Sequence, residues 1–473
     1  MKRCLLWLMC LMLAVPAGMA ETVIPMEDLA IEDDSLLAMP DLNDSLQLED
    51  TLLSDETTLN EEATESITSN APGDGQTPPD RPGDGQTPPD RPGDDQSETT
   101  DSAATTLTGD SSGKTYKSTT GGENAVLVSG SKVKMTKDTV KKTGDSNSES
   151  ADFYGTNAAI LAKNSATLTI KNSKITTNGS HANAVFSYGS GTTVKISNST
   201  ITTKGNNSGG IMTTGGATMK ASNLKVTTSG NSSAAIRSDR GGGTVTVSGG
   251  TYKSSGVGSP AIYSTADITV SKATLSASKS EAVVIEGGNS VTLKNAKITG
   301  NNKTLNGQST VKTNVLIYQS MSGDASSGAS TFTMTGGTMT AKTGVMFHVT
   351  NVTTTISLSG VKFVNGSKTF LTATADSWGS SGKNGGNVTL NLSKQSISGN
   401  IKVDSVSSLK MNIKNGSTFT GAITNKGSCA VKLSSNSKWK LTGDSYVTSF
   451  SGSMKNVDLN GHTLYVNGKA KTK

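Results

Sequence analysis

The sequence predicts an all-β fold, a parallel β-helix solenoid behind a disordered acidic N-terminal arm. Three observations predict it: an apolar phrase that returns about every 25 residues, strand chemistry within each return, and a change of charge and composition near residue 113.

The phrase is an apolar residue, four mostly polar or small residues, and a second apolar residue. It recurs as Ile170–Ile175, Ile196–Ile201, Ala221–Val226, Val247–Tyr252, Val270–Leu275, Leu293–Ile298, Met334–Met339 and Leu358–Phe363, with starts 26, 25, 26, 23, 23, 41 and 24 residues apart. A steady period of this size marks a solenoid whose units bury their apolar faces on one another.

A second apolar phrase follows in each unit, as at Ala184–Phe186, Gly210–Met212, Ala235–Arg237, Ala261–Tyr263 and Ala282–Val284. One unit therefore supplies about three short strands, Thr167–Ile170, Lys174–Thr177 and Asn183–Tyr188. Val, Ile and Thr alternating with polar residues put one face inward and one outward, while Gly, Asn and Ser fill the corners. The units are too short for strand–helix repeats. Stacked about 4.8 Å apart, roughly 14 coils would make a rod of about 70 Å. Asn172, Asn198 and Asn223 fall at matching phases and are expected to form a side-chain ladder in one turn.

The N-terminus reads as an export signal, residues 1–20: Lys2 and Arg3, an apolar run Leu5–Val15, then Gly18 and Ala20 before the cleavage point. The run is too short to span a bilayer, so the protein is expected to be secreted, extracellular or held at a cell surface. Residues 21–70 form an acidic segment expected to be disordered. Residues 71–113 form a Pro/Gly/Asp-rich linker in which Pro72–Arg81 repeats as Pro82–Arg91. The β-helix domain is expected over 114–473. The C-terminus shows no apolar tail or sorting motif, and attachment is expected to be non-covalent or near the N-terminus.

Cys4 and Cys10 leave with the signal, so Cys429 stands alone. No internal disulfide and no zinc site are expected. His181, His348 and His462 lie more than 100 residues apart, hence several coils, and read as surface or turn residues. Neither a metal nor a cofactor is expected.

Residues 21–113 carry 24 Asp and Glu against two Arg, a net of −22, whereas 114–473 carry 14 against 39 Lys and Arg, a net of +25. A basic body favours polyanionic partners, and the tethered acidic arm would compete with them by intramolecular contact with the rod.

The apolar ladder, the Asn-containing turn and the short polar corners resemble the right-handed parallel β-helix, pectate-lyase-like superfamily. The stretches Ala184–Gly191, Ser238–Gly243 and Ser259–Asp267 resemble secreted adhesin-like β-helix proteins of gut-type bacteria. The resemblance covers about 120–470. It implies the fold, and it leaves activity open because such folds host lyases, hydrolases and non-enzymatic binders.

Three functions follow as expectations. The first is an adhesin-like protein that binds a polysaccharide, glycan or other polyanion. With Val185, Ile211, Ile236 and Ile262 inward, Phe186, Met212, Arg237 and Tyr263 form one outward column, with Tyr188 and Arg240 beside it. Trp378, among Gly and Ser in a long coil, is the expected stacking platform. The second is a polysaccharide lyase or glycoside hydrolase using Asp239, Asp267 and Glu286 with Arg237, three acids expected along one edge of successive coils. The third is a structural surface spacer. At the ends, Tyr116, Phe153 and Tyr154 are expected to close the start. Trp439 and a hairpin about Asn460 and Gly461 are expected to close the end.

Overall fold

The computed structural model describes residues 102–472 apart from 306–308 and 321. The signal peptide, the acidic segment and residues 71–101 of the linker lie outside the described residues, as does the arm's expected contact with the rod.

The six-residue phrase turns out to be a corner. Its first apolar residue ends an inward-facing position of one sheet, and its last begins the next sheet. Ile170, Ile196, Ala221, Val247, Val270, Leu293, Met334 and Leu358 pair residue for residue in the first sheet. Ile175, Ile201, Val226, Tyr252, Leu275, Ile298, Met339 and Phe363 do the same in the second. The third sheet begins a coil's last side, as at Val185–Tyr188. Among the described residues the first sheet has 14 strands, the second 10 and the third 12, all parallel within each sheet. Every third strand in sequence pairs, so successive coils stack in register around one continuous apolar core.

The corner between the first and second sheets needs one left-handed residue per coil. Asn172, Asn198 and Asn223 supply it with φ of 53°, 46° and 50°, and Gly249 takes the same place at 67°. Asn tolerates this conformation because its short side chain bonds locally, and Gly because it has no Cβ. The hydrogen bonds that join this corner run through the following residue: Ser173 N donates to Ser199 Oγ at 3.0 Å. The asparagines are thus selected by backbone conformation, which corrects the expected ladder. A serine ladder also lines the corner between the second and third sheets, where Ser208 N donates to Ser233 Oγ and Ser233 N to Ser259 Oγ, both at 2.9 Å.

Pairing begins before residue 114. Ala103 bridges Asn124, Thr106 bridges Leu127, and Ser111–Ser112 pairs with Met135 and Thr136. The Ser/Thr/Ala composition of 102–113 looks like linker because few of its side chains face the core. Tyr116 packs against the core at this end. Phe153 and Tyr154 instead lie over the third sheet, where Tyr154 meets Tyr188 edge-on at 5.4 Å.

At the other end Trp439 is fully buried, stacks on Phe419 at 5.7 Å and donates from Nε1 to Gly421 O. The hairpin is displaced from its expected place. Asn460 and Gly461 turn the chain with φ of 49° and 81°, but the strands they join both run parallel to the preceding coil. The antiparallel pair is Leu464–Val466 with Lys469–Lys471, around Asn467 and Gly468. Both dipeptides satisfy the same positive-φ requirement, so pattern alone does not separate a corner from a reversal.

Cys429 is buried in the core among the last coils, and burial pushes its thiol up to about 12. The native protein is therefore expected to leave Cys429 unreactive toward a disulfide reagent at pH 8, with labelling appearing only as denaturant opens these coils. Rapid stoichiometric labelling without denaturant would contradict the packing.

Candidate functional site

The third sheet places the expected outward column in register: Phe186 pairs with Met212, Met212 with Arg237, Arg237 with Tyr263, and the column runs on through Val284, Leu316 and His348. The column exists, but it is covered. Phe186 and Met212 are completely buried in a small second core with Leu127, Ala158 and Leu161. The covering segment carries the short helix Glu149–Phe153, and Thr214 Oγ1 holds it by donating to Phe153 O at 2.7 Å. Further along, Trp378 is 5 % exposed and packs on Tyr318 with ring centroids 4.6 Å apart, beside Val284 and Leu316. Phe186 and Trp378 are therefore packing residues. Over these coils, long corner segments rather than solvent meet the outer face of this sheet.

Beneath that cover lies a charged network. Arg237, 4 % exposed, is held by Asp239 Oδ2 at 2.8 Å and faces Asp152 Oδ1 at 3.7 Å. Asn207 Nδ2 donates to His181 Nε2 at 2.8 Å, which leaves Nδ1 as the donor to Asp152 Oδ2 at 2.7 Å. Arg240 grips Asp324 Oδ1 through Nε at 3.1 Å and Nη2 at 2.8 Å, with its guanidinium 3.6 Å from the centre of the Phe153 ring. Burial raises the Asp239 carboxyl to about 6, with Arg237 only partly opposing the shift.

Glu286 forms a neighbouring knot. Its Oε2 accepts from Tyr263 Oη at 2.5 Å and Tyr318 Oη at 2.8 Å, and its Oε1 accepts from Ser320 Oγ. Burial pushes its carboxyl up despite these three hydroxyl donors. Tyr263 is thus half-buried and committed to an intrachain bond. Asp267 stands apart: it is exposed on the first sheet and accepts from Ser290 Oγ at 2.6 Å. The three acids expected along one edge are divided, because the count from Ile262 to Asp267 crosses a corner into another sheet.

His348 also departs from expectation. It is fully buried in the same outward column, with Nδ1 2.8 Å from Thr372 Oγ1 and Nε2 3.0 Å from Asp376 Oδ2. Burial disfavours the Asp376 carboxylate, but hydrogen bonds from His348 and Thr310 outweigh it and hold the carboxyl below the usual range. Asp376 thereby ties the segment around Ser309 and Thr310 to its own. All three clusters fasten long corners onto the third sheet.

The outer faces of the first two sheets are different. Their outward positions are mostly Lys, Thr and Ser, with Asn387, Asn391 and Asn412 in the later coils of the first. Lys134, Thr169, Lys195, Lys220 and Thr246 follow one another in one column of the first sheet. Lys174, Thr200, Lys225 and Thr251 do so in the second. Asp267 is the one carboxylate among the described strand residues of the first sheet, and the second sheet has none. Lys195 and Lys220 are exposed and directly in register, about 4.8 Å apart by the spacing of paired strands. Like charges so placed repel. Asp152, Asp239, Glu286, Asp324 and Asp376 all gather on the third-sheet side. Apart from Asp110, 4.0 Å from Lys134 at the start of the first sheet, the charges are therefore largely divided by face, a feature visible only once register assigns each Lys to a column.

Three parallel sheets wound coil upon coil make this domain a right-handed parallel β-helix. Residues 139–320 match the family model described as a right handed beta helix region. The chain matches no curated protein and no solved structure. Among the described residues no helix is long and apolar enough to cross a membrane.

Proposed function

We propose that the protein is a secreted or surface-exposed, adhesin-like binding protein. Its ligand is an extracellular polysaccharide, glycan or other polyanionic polymer that runs along the joined outer faces of the first and second sheets. The observation that carries this reading is the in-register pair Lys195 and Lys220, continued by Lys171 and Lys174 at the adjoining corner. These exposed ammonium groups have no carboxylate beside them on either sheet except Asp267. A chain of regularly spaced anions relieves their mutual repulsion and meets Thr and Ser hydroxyls between them. Cleavage chemistry is less well supported, since Arg237 and Asp239 are buried and bonded to each other, and Glu286 is buried and accepts from the Tyr263 and Tyr318 hydroxyls.

The test is binding to heparin and to polygalacturonate across a salt series. Each charge contributes about 1 kcal/mol at 4 Å in water, so Lys171→Glu, Lys195→Glu and Lys220→Glu together are expected to weaken binding at least about tenfold at low salt. The difference should fade as the screening length falls below about 8 Å. The reversals Lys303→Glu, Lys312→Glu and Lys342→Glu, outside these two sheets, serve as the control. Equal loss from both sets would leave net charge as the cause. No binding by the unaltered protein would favour a structural spacer. Unsaturated products or new reducing ends, abolished by Asp239→Asn, would establish an enzyme instead.

A further inference from the structure

The outward column of the third sheet emerges from its cover near the C-terminal end. Thr372 is still buried, but Lys402 and Thr424, which succeed it in register, are exposed. Ile423 N donates to Ser445 Oγ at 3.1 Å, which ties the third sheet's last strand, Ile423–Asn425, to Ser445–Val447, the first strand of a separate three-stranded sheet. Tyr446 pairs in register with Tyr465, and Tyr465 with Ala470. The two rings stack 4.9 Å apart and 5° from parallel, and Tyr446 is 44 % exposed.

Where the same column is covered, its apolar side chains serve packing. Beyond its last strand two aromatic rings stack on each other, Tyr446 exposed and Tyr465 half-buried. Each ring hides one face of the other. Tyr465 pairs across the final strands with Ala470, whose methyl group is too small to cover a ring. Tyr446 is the one large apolar side chain at this end, among the described residues, that is exposed, so the surface lacks the continuous apolar patch of a protein interface. The C–H groups on one face of a sugar ring carry partial positive charge and match the negative face of an aromatic ring, while ring hydroxyls reach neighbouring polar side chains.

We propose that Tyr446 and Tyr465 form a second binding subsite, separate from the basic face, that takes the pyranose ring of a glycan by stacking. The experiment uses the neutral oligosaccharides cellohexaose and xylohexaose, to which the lysine faces contribute no charge attraction. Binding is followed by saturation transfer to the sugar protons and by titration calorimetry at high salt. The unaltered chain is expected to bind at least one of them, Tyr446→Ala with Tyr465→Ala to reduce affinity about tenfold or more, and Tyr465→Trp to preserve it. Far-ultraviolet circular dichroism and continued protection of Cys429 show that the variants remain folded. Absence of binding by the unaltered chain, or unchanged affinity in the double alanine variant, overturns the proposal. So does a concentration-dependent dimer that the alanines dissociate without affecting sugar binding. Binding to heparin should be retained by the tyrosine variants, so loss of this subsite and loss of the basic-face reading are separate results.

Discussion

Gly230→Ala is expected to unfold the middle of the β-helix. Gly179, Gly205, Gly230 and Gly256 stack at the corner that follows the second sheet. A Cβ on Gly230 would lie 1.8 Å from the carbonyl oxygen of Gly205, and one on Gly205 would lie 1.9 Å from that of Gly179. The obstacle is backbone, held on both sides by coils in register, so no side-chain rotation relieves it. The whole stack would have to shift, breaking ladder hydrogen bonds and the serine bonds at Ser208 and Ser233. Steric faults of this kind belong to the rare substitutions that cost more than about 4 kcal/mol. Urea unfolding followed by circular dichroism measures it. Gly109→Ala is the control, because a Cβ there meets nothing within 4 Å. A Gly230→Ala protein with the unaltered urea midpoint would show that the stack relaxes at no cost.

The glycine stack was open to the sequence, since Gly179, Gly205, Gly230 and Gly256 repeat at the period of the coils. So were the sheets, because the phrase Ile170–Ile175 contains the end of one strand, a left-handed corner and the start of the next. Period and alternation suffice where a residue's neighbours are its own equivalents one coil away. They fail where a neighbour comes from a long corner. Phe186 projects outward from the third sheet and Tyr446 lies on the three-stranded sheet that follows its last strand, yet one is buried under the segment around the helix Glu149–Phe153 and the other is exposed. Nothing in the alternation separates them. Asp152 and Asp324, which complete the arginine network, lie on such corners. Tyr446 and Tyr465 carried a usable signal, since each sits one residue before a valine in strands paired a coil apart. The dipeptide Asn460–Gly461, which fits a hairpin as well as a corner, conceals that register.

Arg237→Leu is expected to destabilise the protein by about 3–5 kcal/mol near pH 8, because it strands two buried carboxylates, Asp152 and Asp239, without their cation. The loss should shrink in acid. Asp239 holds its proton up to about pH 6 in the folded state, above the ordinary carboxyl value of about 3.9 in the unfolded chain. Folding therefore favours its protonated form. The stability from that preference is complete below the unfolded value and disappears as pH rises through about 6. Removing Arg237, which lowers the Asp239 value by attraction, moves the transition higher still, so the variant relieves its unpaired charge by taking up a proton. The groups facing this pair are Asp152, Asp324 and Tyr263, with His181 one hydrogen bond beyond through Asp152. Asp239→Asn assigns the effect: it should flatten the pH dependence between about pH 4 and 6. The measurement is the urea midpoint of the unaltered protein, Arg237→Leu and Asp239→Asn at pH 5 and pH 8. A loss on Arg237→Leu that is equal at both values would mean that Asp239 stays ionised throughout and that burial is not what sets its charge.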